Sequence, residues 1–307
     1  MMIKLMKASL ATLLALLTIT GCQHIRNSGS EPVPVASAQM LRLATYNVHY
    51  IIMQEETGPW SLGDWERRKV PMDQAFKAVD ADIIAFQEME SFAGRSESDV
   101  NLALDWLLAN NPDYAAAAVG PVDTFPSTQP ILYRRDRFKV LDQGWFFFSD
   151  TPDVIYARTF NGSYPAFASW ALFEDAQNGQ DFCVINIHTD YRSRSNRLQS
   201  IALVAERIRP WISARETVFA VGDLNARLGS AALGILEDEG VVFVPVDGAT
   251  YHFDRGINLF GAIDHIGYVG AASLTGGPFV LREKFNDVWP TDHYPLVADF
   301  VLGSTDS

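Results

Sequence analysis

The stretch from Val218 to Arg227, VFAVGDLNAR, places a carboxylate and a carboxamide two residues apart, directly after an apolar run. The run predicts a short buried strand, and Gly222 allows a sharp backbone turn at its end. Asp223 and Asn225 then leave the strand together, in positions that suit the orientation of a water molecule and of a phosphate or metal-bound oxygen. Asp and Asn also favour ordinary turns by bonding to nearby backbone groups, so this stretch alone is equally consistent with a capped turn.

Polar side chains that can bind metals or move protons recur where predicted strands end. They are Asn47, Glu88, His188, Asp223, Asn225, Asp264, Asp292 and His293. Strand ends at one edge of a layered α/β architecture converge, so residues distant in sequence can line one pocket. The oxygen donors of Asn47, Glu88 and Asp292 suit Mg²⁺, Mn²⁺ or Ca²⁺, which take one or two carboxylates and keep several waters. Asp264 can hold His293 in one tautomer, which makes His293 a general base or a stabiliser of phosphate charge.

Apolar runs predict the strands that carry these residues, at positions 41–48, 83–86, 182–187 and 218–221. Apolar residues at helical spacing, such as Met72, Ala75, Phe76 and Val79, predict amphipathic helices between the runs. Residues 131–173 are typical of short strands, and their aromatic run 145–148 is interpreted as sheet core rather than a ligand platform. Further expectations are a helix over residues 198–208, whose apolar stripe includes Ala202, a short helix at 231–237, and strands at 241–246 and 295–302.

Three arginines, Arg192, Arg194 and Arg197, lie in or just before the first turn of the helix predicted after His188. Positive charges at a helix start oppose the preference set by the helix dipole. Two interpretations remain: a negatively charged group holds these arginines there, or they form a solvated helix face.

The composition indicates a globular chain. Of its 307 residues, 48% are hydrophobic and 20% are charged, with a net charge of −13. Loss of residues 1–21 would remove two lysines and leave 22 basic against 37 acidic residues, a net charge of −15. Such a charge opposes non-specific binding to duplex nucleic acid, which requires a basic surface and could here find one only as a local patch.

The first residues are interpreted as a signal peptide. Lys4 and Lys7 precede an apolar run over residues 8–19, which ends in Thr20-Gly21-Cys22. This segment resembles a bacterial lipoprotein signal, and the resemblance implies that Cys22 carries lipid and becomes the first mature residue. An ordinary secretory peptide is the alternative, whereas a spanning helix would need about 20 apolar residues.

The predicted organisation is therefore a signal peptide at residues 1–21, a lipidated and flexible tether at 22–39, and one domain at 40–303. The expected location is the bacterial cell envelope, with the chain anchored by lipid to the outer membrane and facing the periplasm. Once Cys22 is acylated, Cys183 has no partner for an intramolecular disulfide, and its apolar surroundings predict a core position.

Taken together, the ordered motifs resemble the endonuclease/exonuclease/phosphatase superfamily, which has the deoxyribonuclease I-like fold. The motifs are TYNVH, WERR, QE, NIHTD, GDLN, IDH and TDHYPL, and the resemblance covers residues 41–302. It implies an α/β (α+β) fold, a four-layer αββα sandwich of two mixed β-sheets flanked by helices. It also implies hydrolysis of phosphoester bonds by in-line water attack with a divalent cation, Mg²⁺ or Mn²⁺ first and Ca²⁺ as a further candidate.

The resemblance also implies roles for the residues. Glu88 would be the principal metal ligand, with Asn47 and Asp292 beside it. His188 and Asn225 would contact the scissile phosphate, Asp223 would orient or deprotonate water, and Asp264 would support His293. Asp223 and His293 remain competing candidates for the base.

The sequence departs from common members at Gln129, which stands where many relatives carry Asn, and in GDLN, which replaces GDFN. The first departure puts substrate contacts near Gln129 in doubt. The element Thr250-Tyr251-His252 is similar to one in some relatives but is not assigned to the catalytic set.

Several functions remain open within this chemistry. A nuclease, a phosphoinositide-like phosphatase and a phospholipid diesterase all fit, because substrate choice depends on loops. The expected partners are a phosphoester substrate, with nucleic acid among the candidates, and a membrane reached through lipidated Cys22; the chain is expected to be a monomer. A dinuclear metallophosphoesterase is excluded, since its Asp-x-His, Gly-Asn-His and Gly-x-His motifs are absent from the sequence. A non-catalytic binding module of the same fold is the remaining alternative.

Overall fold

In residues 32–37, 39–92 and 100–303, which the computed structural model describes, the chain forms fourteen strands and four helices. The strands are Leu41–Asn47 (β1), Ile51–Ile52 (β2), Ile83–Gln87 (β3), Ser91–Phe92 (β4), Tyr114–Ala117 (β5), Ile131–Arg134 (β6), Phe138–Phe147 (β7), Phe167–Asp175 (β8), Gln180–His188 (β9), Thr217–Asp223 (β10), Val242–Phe243 (β11), Asp264–Val269 (β12), Ala272–Val280 (β13) and Leu296–Leu302 (β14). The helices are Leu62–Val79 (α1), Leu102–Asn110 (α2), Arg194–Ser213 (α3) and Ala231–Asp238 (α4).

Two six-stranded mixed sheets form the centre of the molecule. One has the strand order β13-β14-β1-β3-β6-β5, and the other has the order β11-β12-β10-β9-β8-β7. Each sheet contains one parallel pair, β1 with β3 and β9 with β10, and its other pairings are antiparallel. Helix α1 joins the first parallel pair and α3 joins the second. Parallel neighbours need such a crossover, because a tight turn can join only antiparallel strands.

Three apolar layers hold the sheets and helices together. The alternation of β1 shows how: Leu41 and Leu43 pack between the sheets, against Phe219 of β10 and its neighbours. Ala44 and Tyr46 face the other way and pack with residues of α1 and α2. The second sheet likewise packs its outer face against α3 and α4. Because both faces of the central strands are covered, their sequences are continuously apolar. The expected four-layer αββα sandwich is confirmed.

Several local expectations are also confirmed. Phe146, Phe147 and Phe148 are buried, so the aromatic run is sheet core, and Cys183 is a fully buried free thiol. In the part of the chain with described coordinates, no helix is both long and apolar enough to cross a lipid bilayer. The predicted signal peptide and the lipid site Cys22 lie outside the described residues, as does most of the tether.

Other expectations were wrong in detail. The strand predicted at 241–246 is only Val242–Phe243, although the backbone N–H of Val244 still donates to the carbonyl oxygen of Ile266 in β12. Ala202 is exposed on α3, and Val204 takes the buried place expected of it. No sequence pattern predicted β13, whose nine residues are mostly half-buried and include adjacent glycines, so no apolar alternation marks it.

One edge of the sandwich collects the ends of six strands. The carboxyl ends of β1, β3, β9 and β10 meet the beginnings of β12 and β14, which run antiparallel to their neighbours. Close strand approach here depends on Gly222, whose φ is +139° and at which an added Cβ would lie 1.9 Å from the carbonyl oxygen of Ile187. Asp223 is thereby placed opposite His188 on one side and Asp264 on the other.

Buried hydrogen bonds join the two sheets below this edge. Gln87 Nε2 donates to Asn186 Oδ1 at 2.7 Å, and Asn186 Nδ2 donates to the carbonyl oxygen of Phe86 at 2.7 Å. The backbone carbonyl of Gln129 accepts from Ser169 Oγ at 2.6 Å, while its side chain donates to the carbonyl of Phe167. Gln129 is therefore a buried residue that links the sheets.

Candidate active site

Asp223 lies at the centre of the polar cluster at this edge. Its Oδ2 atom accepts a hydrogen bond from Asn47 Nδ2 at 3.2 Å. The same oxygen lies 3.7 Å from His188 Nε2 and 3.8 Å from His293 Nε2. Its other oxygen, Oδ1, accepts the backbone N–H of Asn225 at 3.0 Å. Both sheets therefore contribute to a single carboxylate that is almost completely buried.

Glu88 adds a second carboxylate beside Asn47. Asn47 Nδ2 donates to Glu88 Oε1 at 3.1 Å, and His188 Nε2 lies 3.7 Å from the same oxygen. Glu88 follows β3 in the left-handed region, with φ of +55°. Non-glycine residues rarely adopt this conformation, and such strain is concentrated at functional sites. It turns the Glu88 side chain towards the end of β1.

Asp292 is tied to the same edge through the hydroxyl of Thr291. Thr291 Oγ1 donates to the backbone carbonyl of Asn47 at 3.1 Å and lies 3.3 Å from Asp292 Oδ1. The Asp292 charge also acts on His49 and Tyr251. These contacts place Asp292 beside Asn47, as the sequence predicts.

His293 and Asp264 form a buried pair. His293 Nδ1 lies 2.9 Å from Asp264 Oδ2, which leaves Nε2 directed towards Asp223. The backbone N–H groups of Ile263 and Asp264 donate to Thr250 Oγ1, which fixes the start of β12. The Tyr251 ring lies 4.9 Å from the His293 ring. Thr250 and Tyr251, of the element Thr250-Tyr251-His252, thus contact the pair and help to hold it in place.

Asn225 and His188 complete the cluster. Asn225 Nδ2 donates to the carbonyl oxygen of Thr189 at 2.9 Å, so its carboxamide is anchored to the end of β9. Asn225 adopts a left-handed backbone with φ of +46°. The structure thus brings all eight candidate residues to one edge; their individual roles remain predictions.

Burial and neighbouring charges change the proton affinities of the central groups. Burial, reinforced by the negative charge of Asp264, raises the pKa of Asp223 to about 6, against the lowering effect of His293 and His188. Burial alone would lower the pKa of His293, but Asp264, Asp223 and Asp292 outweigh it and raise that pKa to about 10. At neutral pH the protonated imidazole lies between two carboxylates.

Arg68 supports the site structurally, and the sequence did not predict this role. Its buried guanidinium donates to the carbonyl oxygens of Val48 and His49 at 2.8 and 3.0 Å. Helix α1 thereby fixes the segment after Asn47. The signal was available in the WERR motif at the start of α1, where an arginine sits on the face that carries the buried residues.

The donor set fits a hard divalent cation. Four carboxylates, Glu88, Asp223, Asp264 and Asp292, face two histidines, and Asp264 Oδ1 is buried without a hydrogen-bond partner in the described residues. Asp223 and Asp264 are buried and Glu88 and Asp292 half-buried, and surplus negative charge in such a site is ordinarily balanced by a cation.

Two groups of residues could hold that cation. One is Asn47 with Glu88 and Asp292; the other is Asp223, Asp264 and His293, whose ligand atoms lie within 4.8 Å of one another. The first group offers oxygen donors alone, which Mg²⁺ and Mn²⁺ prefer, whereas in the second the imidazole is already bonded to Asp264. The first group is therefore the better fit.

A four-layer αββα sandwich with a carboxylate and histidine cluster at the edge of its sheets defines a protein of the deoxyribonuclease I-like fold. The sequence model of the endonuclease/exonuclease/phosphatase family matches residues 44–293, and the chain belongs to this family. A search of curated proteins finds no match.

Solved structures of similar fold come from proteins with different names and bound groups. A mannosyl-6-phosphatase from Bacteroides thetaiotaomicron is 24% identical with a TM-score of 0.71, over 85% of this chain and 100% of that one. The human Nocturnin catalytic domain with bound sulfate anion is 17% identical, with a TM-score of 0.61, over 88% and 97%. D. rerio TDP2 with a single-strand DNA product is 16% identical, with a TM-score of 0.57, over 85% and 98%. At these identities the likeness is one of fold.

Proposed function

We propose that this protein is a divalent-metal-dependent phosphoester hydrolase in which water attacks the phosphorus atom in line. The observation that carries the proposal is the buried Asp223 carboxylate, with Asn47, His188 and His293 all within 3.8 Å of its Oδ2 atom. A carboxylate ringed by donors from both sheets is suited to hold and activate a water molecule. Two of its fold neighbours, a mannosyl-6-phosphatase and a TDP2 with a single-strand DNA product, agree with this chemistry.

The contacts favour different roles for His293 and Asp223, the two candidates for the general base. His293 Nδ1 is bonded to Asp264, and the two flanking carboxylates keep the imidazole protonated. A protonated imidazole cannot accept the proton of water, but it can stabilise the negative charge that develops on phosphoryl oxygens. Asp223 is therefore the better general base, and His293 acts on the phosphate together with His188 and Asn225.

Glu88, Asn47 and Asp292 would hold the cation. When bound, it would act as a Lewis acid that withdraws charge from the phosphoryl oxygens. Asn47 has a second function, since its Nδ2 group joins Glu88 to Asp223 and so sets the distance between the metal-binding side and the base. The net charge of −13 disfavours duplex DNA as the substrate.

Metal dependence is tested on the purified protein with a substrate panel. We expect hydrolysis in the presence of Mg²⁺ or Mn²⁺ and its loss in EDTA. The panel contains single-stranded and duplex DNA, RNA, bis(p-nitrophenyl) phosphate, inositol phosphates, sugar phosphates and phospholipids. The same cations should raise the melting temperature, because a ligand that binds only the native state stabilises it. Silence across the panel, with no thermal shift, would instead identify a non-catalytic module of this fold.

Lipid attachment at Cys22 is a separate proposal, placing the enzyme at the outer membrane, facing the periplasm. We expect the full chain expressed in a Gram-negative host to fractionate with membranes and to incorporate labelled palmitate. The Cys22→Ser variant should do neither, because its side chain cannot form the thioether to diacylglycerol. Membrane association that persists in this variant would contradict the lipid anchor.

A further inference from the structure

The loop that follows His188 is held rigidly beside the active site. The Asp190 carboxylate accepts the backbone N–H groups of Ser163, Arg192 and Ser193 at 2.7 to 2.8 Å. From α3, Arg197 Nη1 donates to the carbonyl oxygens of Asp190 and Tyr191 at 2.9 and 3.0 Å. Arg197 therefore holds the loop, and the backbone from which the loop side chains project is fixed.

Tyr191 stands on this loop, three residues after His188. Its side chain is exposed, with 55% of the residue accessible. Its neighbour Tyr164 has its ring 6.3 Å from that of His188. Burial raises the pKa of Tyr164, and the charges of Glu88 and Asp223, with a smaller effect of Tyr191, raise it further, so Tyr191 lies near the same pocket.

Arg192 is oriented by Tyr191 yet has no anionic partner. Its Nε atom donates to Tyr191 Oη at 2.6 Å, and its guanidinium lies over the Tyr191 ring, 5.1 Å from the centroid. In the part of the chain that the structure describes, its two Nη groups have neither a hydrogen-bond partner nor a carboxylate within 4.0 Å. The result is a fixed, exposed guanidinium whose remaining donors are available to a ligand.

Several arginines of this acidic chain are paired with carboxylates among the described residues, whereas Arg192 is not. Arg42, Arg137 and Arg209 each donate to a carboxylate, at distances between 2.5 and 2.8 Å. Arg192 instead projects its charge into solvent four residues after His188. Two parallel N–H groups match the spacing of two oxygens of one phosphate, which a lysine ammonium cannot do. The sequence left two interpretations of these arginines open, a negatively charged partner or a solvated helix face; a phosphate of the ligand would be such a partner.

We propose that Arg192 binds a second phosphate group of the substrate, so that the enzyme prefers molecules carrying two phosphates. This inference rests on the proposed function for the site that takes the first phosphate. Four residues span at most about 14 Å of chain between His188 and Arg192, a distance that one small bisphosphate or one nucleotide unit can bridge. Arg192 is thus a specificity-determining residue, outside the reacting groups.

The test compares ligands that differ by one phosphate. Dissociation constants are measured by calorimetry for thymidine 3′,5′-bisphosphate against thymidine 5′-phosphate, and for fructose 1,6-bisphosphate against fructose 6-phosphate. In the unmodified protein we expect at least one bisphosphate to bind roughly tenfold or more tightly than its partner, as for charged hydrogen bonds generally. Arg192→Ala should bring the ratio of the two dissociation constants near one. Arg192→Lys keeps the charge but lacks the two parallel N–H groups, so it should restore only part of the preference for the bisphosphate.

Arg209→Ala is the matched control, because it removes an exposed arginine near the far end of the same helix, α3. It should leave the ratio unchanged. The proposal is overturned if neither bisphosphate is preferred, or if Arg192→Ala retains the preference. Hydrolysis of bis(p-nitrophenyl) phosphate is measured in parallel, so that either failure is distinguished from failure of the hydrolase function. An Arg192-dependent preference without any hydrolysis would support the phosphate subsite and contradict the proposed reaction.

Discussion

Glu88→Gln should lower kcat by roughly 10³-fold, because the loss of a metal that stabilises charge by several kcal/mol corresponds to about three orders of magnitude. The substitution preserves the shape of the side chain and the oxygen that accepts from Asn47 Nδ2. It removes one of four neighbouring negative charges, so the metal-free protein should melt at the same or a higher temperature. The measurement is turnover with Mn²⁺, together with the thermal shift that Mn²⁺ produces.

Glu174→Gln provides the matched control for this experiment. Glu174 is at the other end of β8 from the active-site edge, where it is half-buried and pairs weakly with Lys139. This variant should keep both turnover and the Mn²⁺-dependent shift. If Glu88→Gln retains full activity, Glu88 is not a metal ligand; if Asp264→Asn abolishes the shift instead, the cation binds the Asp223, Asp264 and His293 group.

His293→Ala should lower kcat by roughly 10²- to 10³-fold, the usual cost of removing one group that stabilises transition-state charge. The fold should persist, because the first sheet is held by the β1, β3 and β14 pairings. Circular dichroism melting checks this, and kcat and KM are measured at saturating metal. A variant that turns over normally would remove His293 from the mechanism.

Asp264→Asn separates the two members of the pair. Asp264 contacts His293 Nδ1 and is expected to act through it, so Asn at this position should also impair turnover. The double variant His293→Ala/Asp264→Asn should then be no slower than His293→Ala alone, since residues that act as a unit have non-additive effects. An additive loss would show that Asp264 has a separate function, such as metal binding.

Much of the fold was predictable because the central strands are buried on both faces. The apolar runs at β1, β3, β9 and β10 predict their positions within a few residues, and helical spacing predicts α1 and α3. The site candidates were found by the same logic, since they follow those runs directly. The sequence alone did not predict which site residues contact one another. Asn47 and Asp223 are 176 residues apart, and only the arrangement of the sheets brings them into contact.

Residues that position the site residues, rather than belong to the site, were harder to predict from the sequence. Thr291 joins Asp292 to Asn47 through one hydroxyl, and Arg68 donates from a helix to two loops, the one after β1 and the one at Pro290. Neither type is distinctive, because Thr and Arg are common on surfaces. For Arg192 the sequence indicated the charge conflict at the helix start but not its geometry, which depends on the neighbouring phenol.

The two sheets repeat one construction, in which a parallel pair is joined across a helix, β1-α1-β3 in one and β9-α3-β10 in the other. Neither of these two units contains a complete site, because Asn47 and Glu88 lie in the first and His188 and Asp223 lie in the second. Contacts of such long sequence separation form late in folding, because loop closure must precede them. Catalytic competence should therefore be the last property to emerge during refolding, and a ligand that bridges the halves would protect both from proteolysis by slowing their separation.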